Sequence, residues 1–226
     1  MILGLLFACM SAQTMEPPMD DCTVRINAGD PIQPHFADGA VICLGPGKHM
    51  GPLPIAHSVT LRGEKDTIVE AAGKGPVLSV AANKLEVTVQ GLTLRDGYAE
   101  FGSGMLVEGM SRVNIEDCVF DGNRQAKGGA TGLGVRRGIV VVKNSSFSAT
   151  DDVGVNNIAQ VEFHQCAIAG KLGVYDGAKV TLQGGKVQGT LKVRGTTSRK
   201  PSVAIHGCEV PNIENHPTVP GVVTTE

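Results

Sequence analysis

Val113-Asn114-Ile115-Glu116-Asp117-Cys118-Val119-Phe120-Asp121-Gly122-Asn123 is the stretch whose reading decides the fold of this chain. Its apolar residues alternate with polar ones on a two-residue period, which marks a short strand with one buried face, and Gly122-Asn123 then breaks the pattern. The phrase, hydrophobic-polar-hydrophobic and then a polar or glycine turn, returns along the chain. Copies stand at Val59-Thr60-Leu61, Val87-Thr88-Val89, Val140-Val141-Val142, Val161-Glu162-Phe163, Val180-Thr181-Leu182 and Val203-Ala204-Ile205. With Val113-Asn114-Ile115 they make seven, starting 19 to 28 residues apart. A period in this range is that of a solenoid, in which each repeat buries its apolar face only against its neighbours.

A second apolar segment lies between the phrases: Leu78-Ser79-Val80, Met105-Leu106-Val107, Leu133-Gly134-Val135, Val153-Gly154-Val155, Leu172-Gly173-Val174 and Leu191-Lys192-Val193. Each repeat therefore carries at least two strands. No segment keeps a 3.6-residue apolar period beyond two turns, and the 30 glycines would penalise helix throughout. The chain reads as all-β. Parallel stacking would place each strand about 4.8 Å from its equivalent and form ladders of like positions along the axis. Counting five residues on from the first Val of each phrase puts Cys118, Cys166 and Cys208 in one column with Leu92, Ser145 and Gly185. That is the small or apolar set an inward ladder needs, Glu64 in the first copy being the exception.

These residues resemble the right-handed parallel β-helix proteins of the pectate-lyase-like superfamily. The carriers are the opening stretch, its echo Val140-Val141-Val142-Lys143-Asn144-Ser145-Ser146-Phe147, and Ile42-Cys43-Leu44-Gly45-Pro46-Gly47-Lys48-His49 followed by Val59-Thr60-Leu61-Arg62-Gly63. The resemblance covers residues 40 to 210. It implies a right-handed, single-stranded parallel β-helix of about seven coils with an N-terminal cap, and it implies little about function, because the superfamily includes lyases, hydrolases, tailspikes and adhesins. The expected divisions are an export segment and tether over residues 1–20, the cap and first coil over 21–58, the β-helix over 59–210 and a flexible tail over 211–226.

At 226 residues the chain fits one domain. A net charge of −2 without a dense Lys/Arg cluster argues against a nucleic-acid partner. The apolar start Ile2-Leu3-Gly4-Leu5-Leu6-Phe7-Ala8 is too short to span a membrane and reads as an export signal. Leu6-Phe7-Ala8-Cys9 resembles a bacterial lipobox with Cys9 as the lipidated residue, a plain signal peptide being the alternative. Either way the expected location is extracellular, periplasmic or lipid-anchored, with membrane contact only through that anchor. Export permits disulfides. Cys22 and Cys43 have no place in the ladder and are the expected bridge fastening the cap, two unpaired buried thiols being the alternative. Cys118, Cys166 and Cys208 stand two coils apart, roughly 9 to 10 Å, too far to join, and are expected reduced and buried.

The residues after each second inward position, Ala81, Glu108, Arg136, Asn156, Tyr175 and Arg194, form an outward strip of mixed charge. Of these, Glu108, Arg136, Asn156, Tyr175 and Arg194 are the candidate substrate-binding residues for a linear glycan. Aromatic platforms for sugars are scarce, with no Trp and two Tyr. Asp151-Asp152-Val153 resembles the paired carboxylates of polygalacturonase-like hydrolases, which makes Asp151 and Asp152 the candidate catalytic pair. The aspartate and histidine partners that the resemblance requires are missing, since the equivalent positions hold Thr131-Gly132 and Gly170-Lys171. Lys192-Val193-Arg194 resembles the basic subsite motif of the same hydrolases. His164 and His206 share a column but stand two coils apart, which is too far for one metal. No metal and no cofactor are expected. The expected protein is an exported, monomeric scaffold or binding module that touches polysaccharide, the alternative being a divergent polysaccharide hydrolase or lyase.

Overall fold

The computed structural model describes residues 21–226 except 127, 150 and 151. Three parallel sheets of ten, seven and eight strands wrap a single core, and within each sheet every strand is bonded to strands one coil away. A representative coil runs from Arg112–Glu116 on the first face to Val119–Asp121 on the second and Leu133–Val135 on the third, then returns to the first face at Ile139–Lys143. The fold is therefore a parallel β-solenoid of about nine turns. Helix is confined to 3-10 turns, of which Gln33–His35 is the one full element among the described residues.

The strands form where the two-residue alternation puts them. Both apolar positions of all seven phrases are buried, as are both apolar positions of every segment on the third face. The stacked pairs Val113 with Val140, Ile115 with Val142 and Val142 with Phe163 show the inward ladders directly. Phe120 and Phe147 stack inside the second face with ring centroids 4.5 Å apart, and Phe163 meets Phe147 edge-on. Between the first and second faces six coils turn on left-handed residues: Gly91, Asp117, Asn144, Gln165, the pair Gly184 and Gly185, and Gly207. Short polar side chains tolerate this conformation and glycine adopts it freely. The cysteine column stands beside it. Cys118 and Cys166 are buried free thiols, whereas Cys208, expected buried, is half-exposed because the coil that would cover it carries little of the second face.

The coil count exceeds seven because both ends continue the solenoid. Val24–Ile26 and Ala40–Leu44 precede the first phrase on the first face, and Val222–Thr225 follows the last. The phrase is hidden there: Val24-Arg25-Ile26 is cut short by the turn-forming Asn27 to Pro31, and Val222–Thr225 is largely exposed. Residues 211–226, expected to be a flexible tail, carry Asn212–Asn215 on the third face as well as Val222–Thr225. Cys22 and Cys43 are joined, tying the first coil to the second. The export segment and Cys9 lie outside the described residues.

Candidate binding groove

The corner between the second and third faces is the part of the coil that changes length most. It takes nine residues between Arg95 and Met105, eleven between Asp121 and Leu133, then five, three and finally two between Val187 and Thr190. The two longest loops therefore stand out, and the shorter corners after them step back. The recess they leave is a groove of about 930 Å³. It spans five successive coils, or about 19 Å at the ordinary strand spacing.

Polar side chains hold the loop at the head of this groove. Tyr98–Ala99 and Arg124–Gln125 pair as a small parallel ribbon, joining the two long loops. Asn123, almost fully buried, donates from Nδ2 to the Leu94 carbonyl at 2.9 Å and accepts at Oδ1 from Gly97 N–H at 2.9 Å. The Ser103 hydroxyl donates to the Arg124 carbonyl at 2.6 Å and accepts from Ala99 N–H at 3.1 Å. These bonds fix the backbone of Arg124 and Gln125 as the head wall. Ser148, Ala149, Ala169, Gly170, Gly189 and Thr190 make the floor, Lys171 and Lys192 the side toward the third face, and Glu214 the far end. Among the described lining residues three are cationic and one is a carboxylate. Lys192 lies 3.7 Å from Glu214, both ends being substantially exposed, so this pair is well screened.

Asp152 lies beneath this floor and is fully buried. Its Oδ1 accepts from Ala149 N–H and its Oδ2 from Gly170 N–H at 2.5 Å, so one carboxylate clamps two adjacent corners that line the groove. A carboxylate with both oxygens turned to backbone donors braces a turn and presents no face to a substrate in the groove. Asp151 lies outside the described residues. Thr131 and Lys171, at the positions where the hydrolase pattern has its partners, line the groove one coil to either side.

The outward strip is a true column along the third face. Arg136 N–H bonds the Val107 carbonyl, Asn156 N–H the Val135 carbonyl, and Tyr175 pairs with Arg194. Glu108 and Arg136 form an ion pair, and the Arg136 guanidinium sits 5.1 Å from the centre of the Phe101 ring. Asn156, Tyr175 and Arg194 border a shallow depression with Asp176, Gly195 and Thr196. The sequence thus places five residues on one line, while the larger recess lies one corner away and shares none of them. Lys192 is the link: within Lys192-Val193-Arg194 it faces the groove, Val193 is buried and Arg194 faces the depression. The groove residues were hidden because corner length, not residue type, creates the recess.

His164 and His206 stack through Gln183 in one column, His164 beside Glu162 and His206 beside Glu226. Among the described residues no group of three His, Cys, Asp or Glu side chains is placed to hold a metal ion. No protein-family model, curated protein or solved structure matches the chain.

Proposed function

We propose that this protein is an exported β-solenoid scaffold that binds a linear, acidic polysaccharide along the groove between its second and third faces. The observation that carries this reading is the groove itself: about 930 Å³, running over five coils and edged by Arg124, Lys171 and Lys192 against the single carboxylate Glu214 among the described lining residues. A rigid shaft repeats its surface every coil, so it suits a polymer that repeats along its own length. The Cys22–Cys43 bridge fits an oxidising compartment, which supports export. The hydrolase reading asks for two carboxylates facing one another across the substrate. Asp152 is committed to backbone donors and Glu214 stands beside Lys192, so the binding reading is preferred.

Affinity electrophoresis tests the proposal. Gels containing polygalacturonate or alginate should retard the protein and gels containing dextran should not. The double variant Arg124→Ala/Lys192→Ala should lose most of that retardation, whereas Lys179→Ala, on the first face, should keep it. Retardation should also weaken as salt is raised, because exposed charges are screened. Mobility unchanged by every polysaccharide would refute the reading.

A further inference from the structure

On the third face, just beside the groove, is a second pocket of about 180 Å³ with walls from two aromatic rings, Phe101 and Tyr175. Glycine lets these rings lie down on the sheet. The outward central position of three consecutive strands is Gly134, Gly154 and Gly173, and glycine inside a strand marks a close approach by something else. A Cβ on Gly134 or Gly154 would stand 2.6 Å from the Phe101 ring, and one on Gly173 would stand 2.4 Å from the Tyr175 ring. Both rings are thus pressed against bare backbone, and Arg136, itself paired with Glu108, lies against Phe101. Walls held in this way need little reordering when a ligand enters.

Two polar residues complete the pocket. Asn156 lines it, and its Oδ1 is shielded with no hydrogen-bond partner among the described residues. An unpaired buried acceptor is costly, and a turn of the Asn156 amide toward the pocket would offer it to a ligand that brings a donor. Lys171 lines both this pocket and the groove, so the two recesses meet at its side chain. Pockets for drug-sized ligands run from about 300 Å³ upward, so this one suits a single ring.

We infer that the pocket holds one pyranose ring, the terminal residue of a chain lying in the groove. The ring's C–H faces contact Phe101 and Tyr175, a hydroxyl donates to Asn156 Oδ1 once that amide turns toward it, and an acidic substituent points toward Lys171. The protein would therefore recognise polymer ends as well as polymer length. This inference rests on the polysaccharide reading of the groove, and the test separates the two.

The chain has no Trp and two Tyr, so Tyr98→Phe leaves Tyr175 as the sole tyrosine reporter, already in the pocket wall. Titrating this variant with D-galacturonate should change tyrosine emission saturably, and D-glucose should do so several-fold more weakly. Adding Gly154→Ala drives a methyl into Phe101 and should weaken galacturonate binding by about tenfold or more, while polygalacturonate still retards the protein in gels. Thermal melting checks that each variant folds, and if Gly154→Ala does not, Asn156→Ala takes its place with the same expectation. Polygalacturonate retardation without any galacturonate response, or a Gly154→Ala or Asn156→Ala protein that binds galacturonate like its parent, overturns the pocket and leaves the groove. Failure of both probes overturns both.

Discussion

Replacing Asp152 by Asn separates a brace from a catalyst. The amide keeps the shape of the carboxylate and one acceptor oxygen, but it must turn its NH₂ toward either Ala149 N–H or Gly170 N–H, both of which now donate to a carboxylate oxygen. One charge-assisted bond disappears, which costs about 1.5–3 kcal/mol, and a buried donor is left facing another donor. A loss of about 2–3 kcal/mol follows. For a protein of this length each kcal/mol moves the melting midpoint by about 2–4 °C, so Asp152→Asn should melt about 4–12 °C lower. Asp152→Ala strands both donors and should fall further, by about 3–5 kcal/mol in all. Melting followed by circular dichroism measures the loss, and gel retardation by polygalacturonate well below the transition should be within about twofold of the parent, because the carboxylate points into the backbone. The reasoning fails if Asp152→Asn melts like the parent while losing polysaccharide binding or a hydrolytic activity, for then the carboxylate acts on the ligand.

Other perturbations probe the shaft. Burial pushes the Cys118 thiol up to about 12 from its ordinary 9.0, so it should resist a thiol reagent in the native state while the half-exposed Cys208 reacts first. The unfolded chain ionises this thiol before the folded one does, so the stability it contributes is intact below about pH 9 and declines as pH rises toward 12; denaturant midpoints of the parent should fall more steeply over that range than those of Cys118→Ala. Gly109→Ala would set a Cβ 1.7 Å from the Ala82 carbonyl oxygen and should prevent stable folding, whereas Gly207→Ala, with φ of +59° but open space around it, should cost only about 1–2 kcal/mol in urea melts. Equal effects at the two positions would show that backbone collision is not what fixes Gly109. The Cys22–Cys43 bridge joins residues 21 apart, and Cys22→Ser/Cys43→Ser should lower stability by about 3 kcal/mol, with hydrogen exchange rising first around Val24–Ile26 and Ala40–Leu44.

Much of the shaft is legible in the chain because strand alternation and the repeat period are local signals. Every inward position of the seven phrases is buried for the same reason: a two-residue period admits one buried face, and stacking repeats that face along the axis. The cysteine column and the outward line from Glu108 to Arg194 follow from that coordinate frame alone. The groove does not. Its head wall depends on buried Asn123 and Ser103 tying together loops from two coils, and nothing in either loop names the other as its partner. Asp152 shows the same limit: a paired Asp-Asp before a strand is chemically suggestive, while the bond its carboxylate accepts comes from Gly170 N–H one coil later. The pocket beside Phe101 is intermediate. Leu133-Gly134-Val135, Val153-Gly154-Val155 and Leu172-Gly173-Val174 announce that something lies on the sheet, but that it is Phe101 from an earlier loop is a long-range fact.

The corner between the second and third faces also bears on how such a protein can change. It shrinks from eleven residues to two without moving the register of any sheet, so the hydrogen-bonded ladder is indifferent to what happens there. Lengthening a surface loop carries only a slowly growing entropic cost. Foreign segments grafted between Val187 and Thr190 should therefore be accepted while the shaft holds its geometry. A molecule built this way separates the part that must be conserved to fold from the part free to acquire a new ligand, and sets the second part out along a ruler marked every 4.8 Å or so.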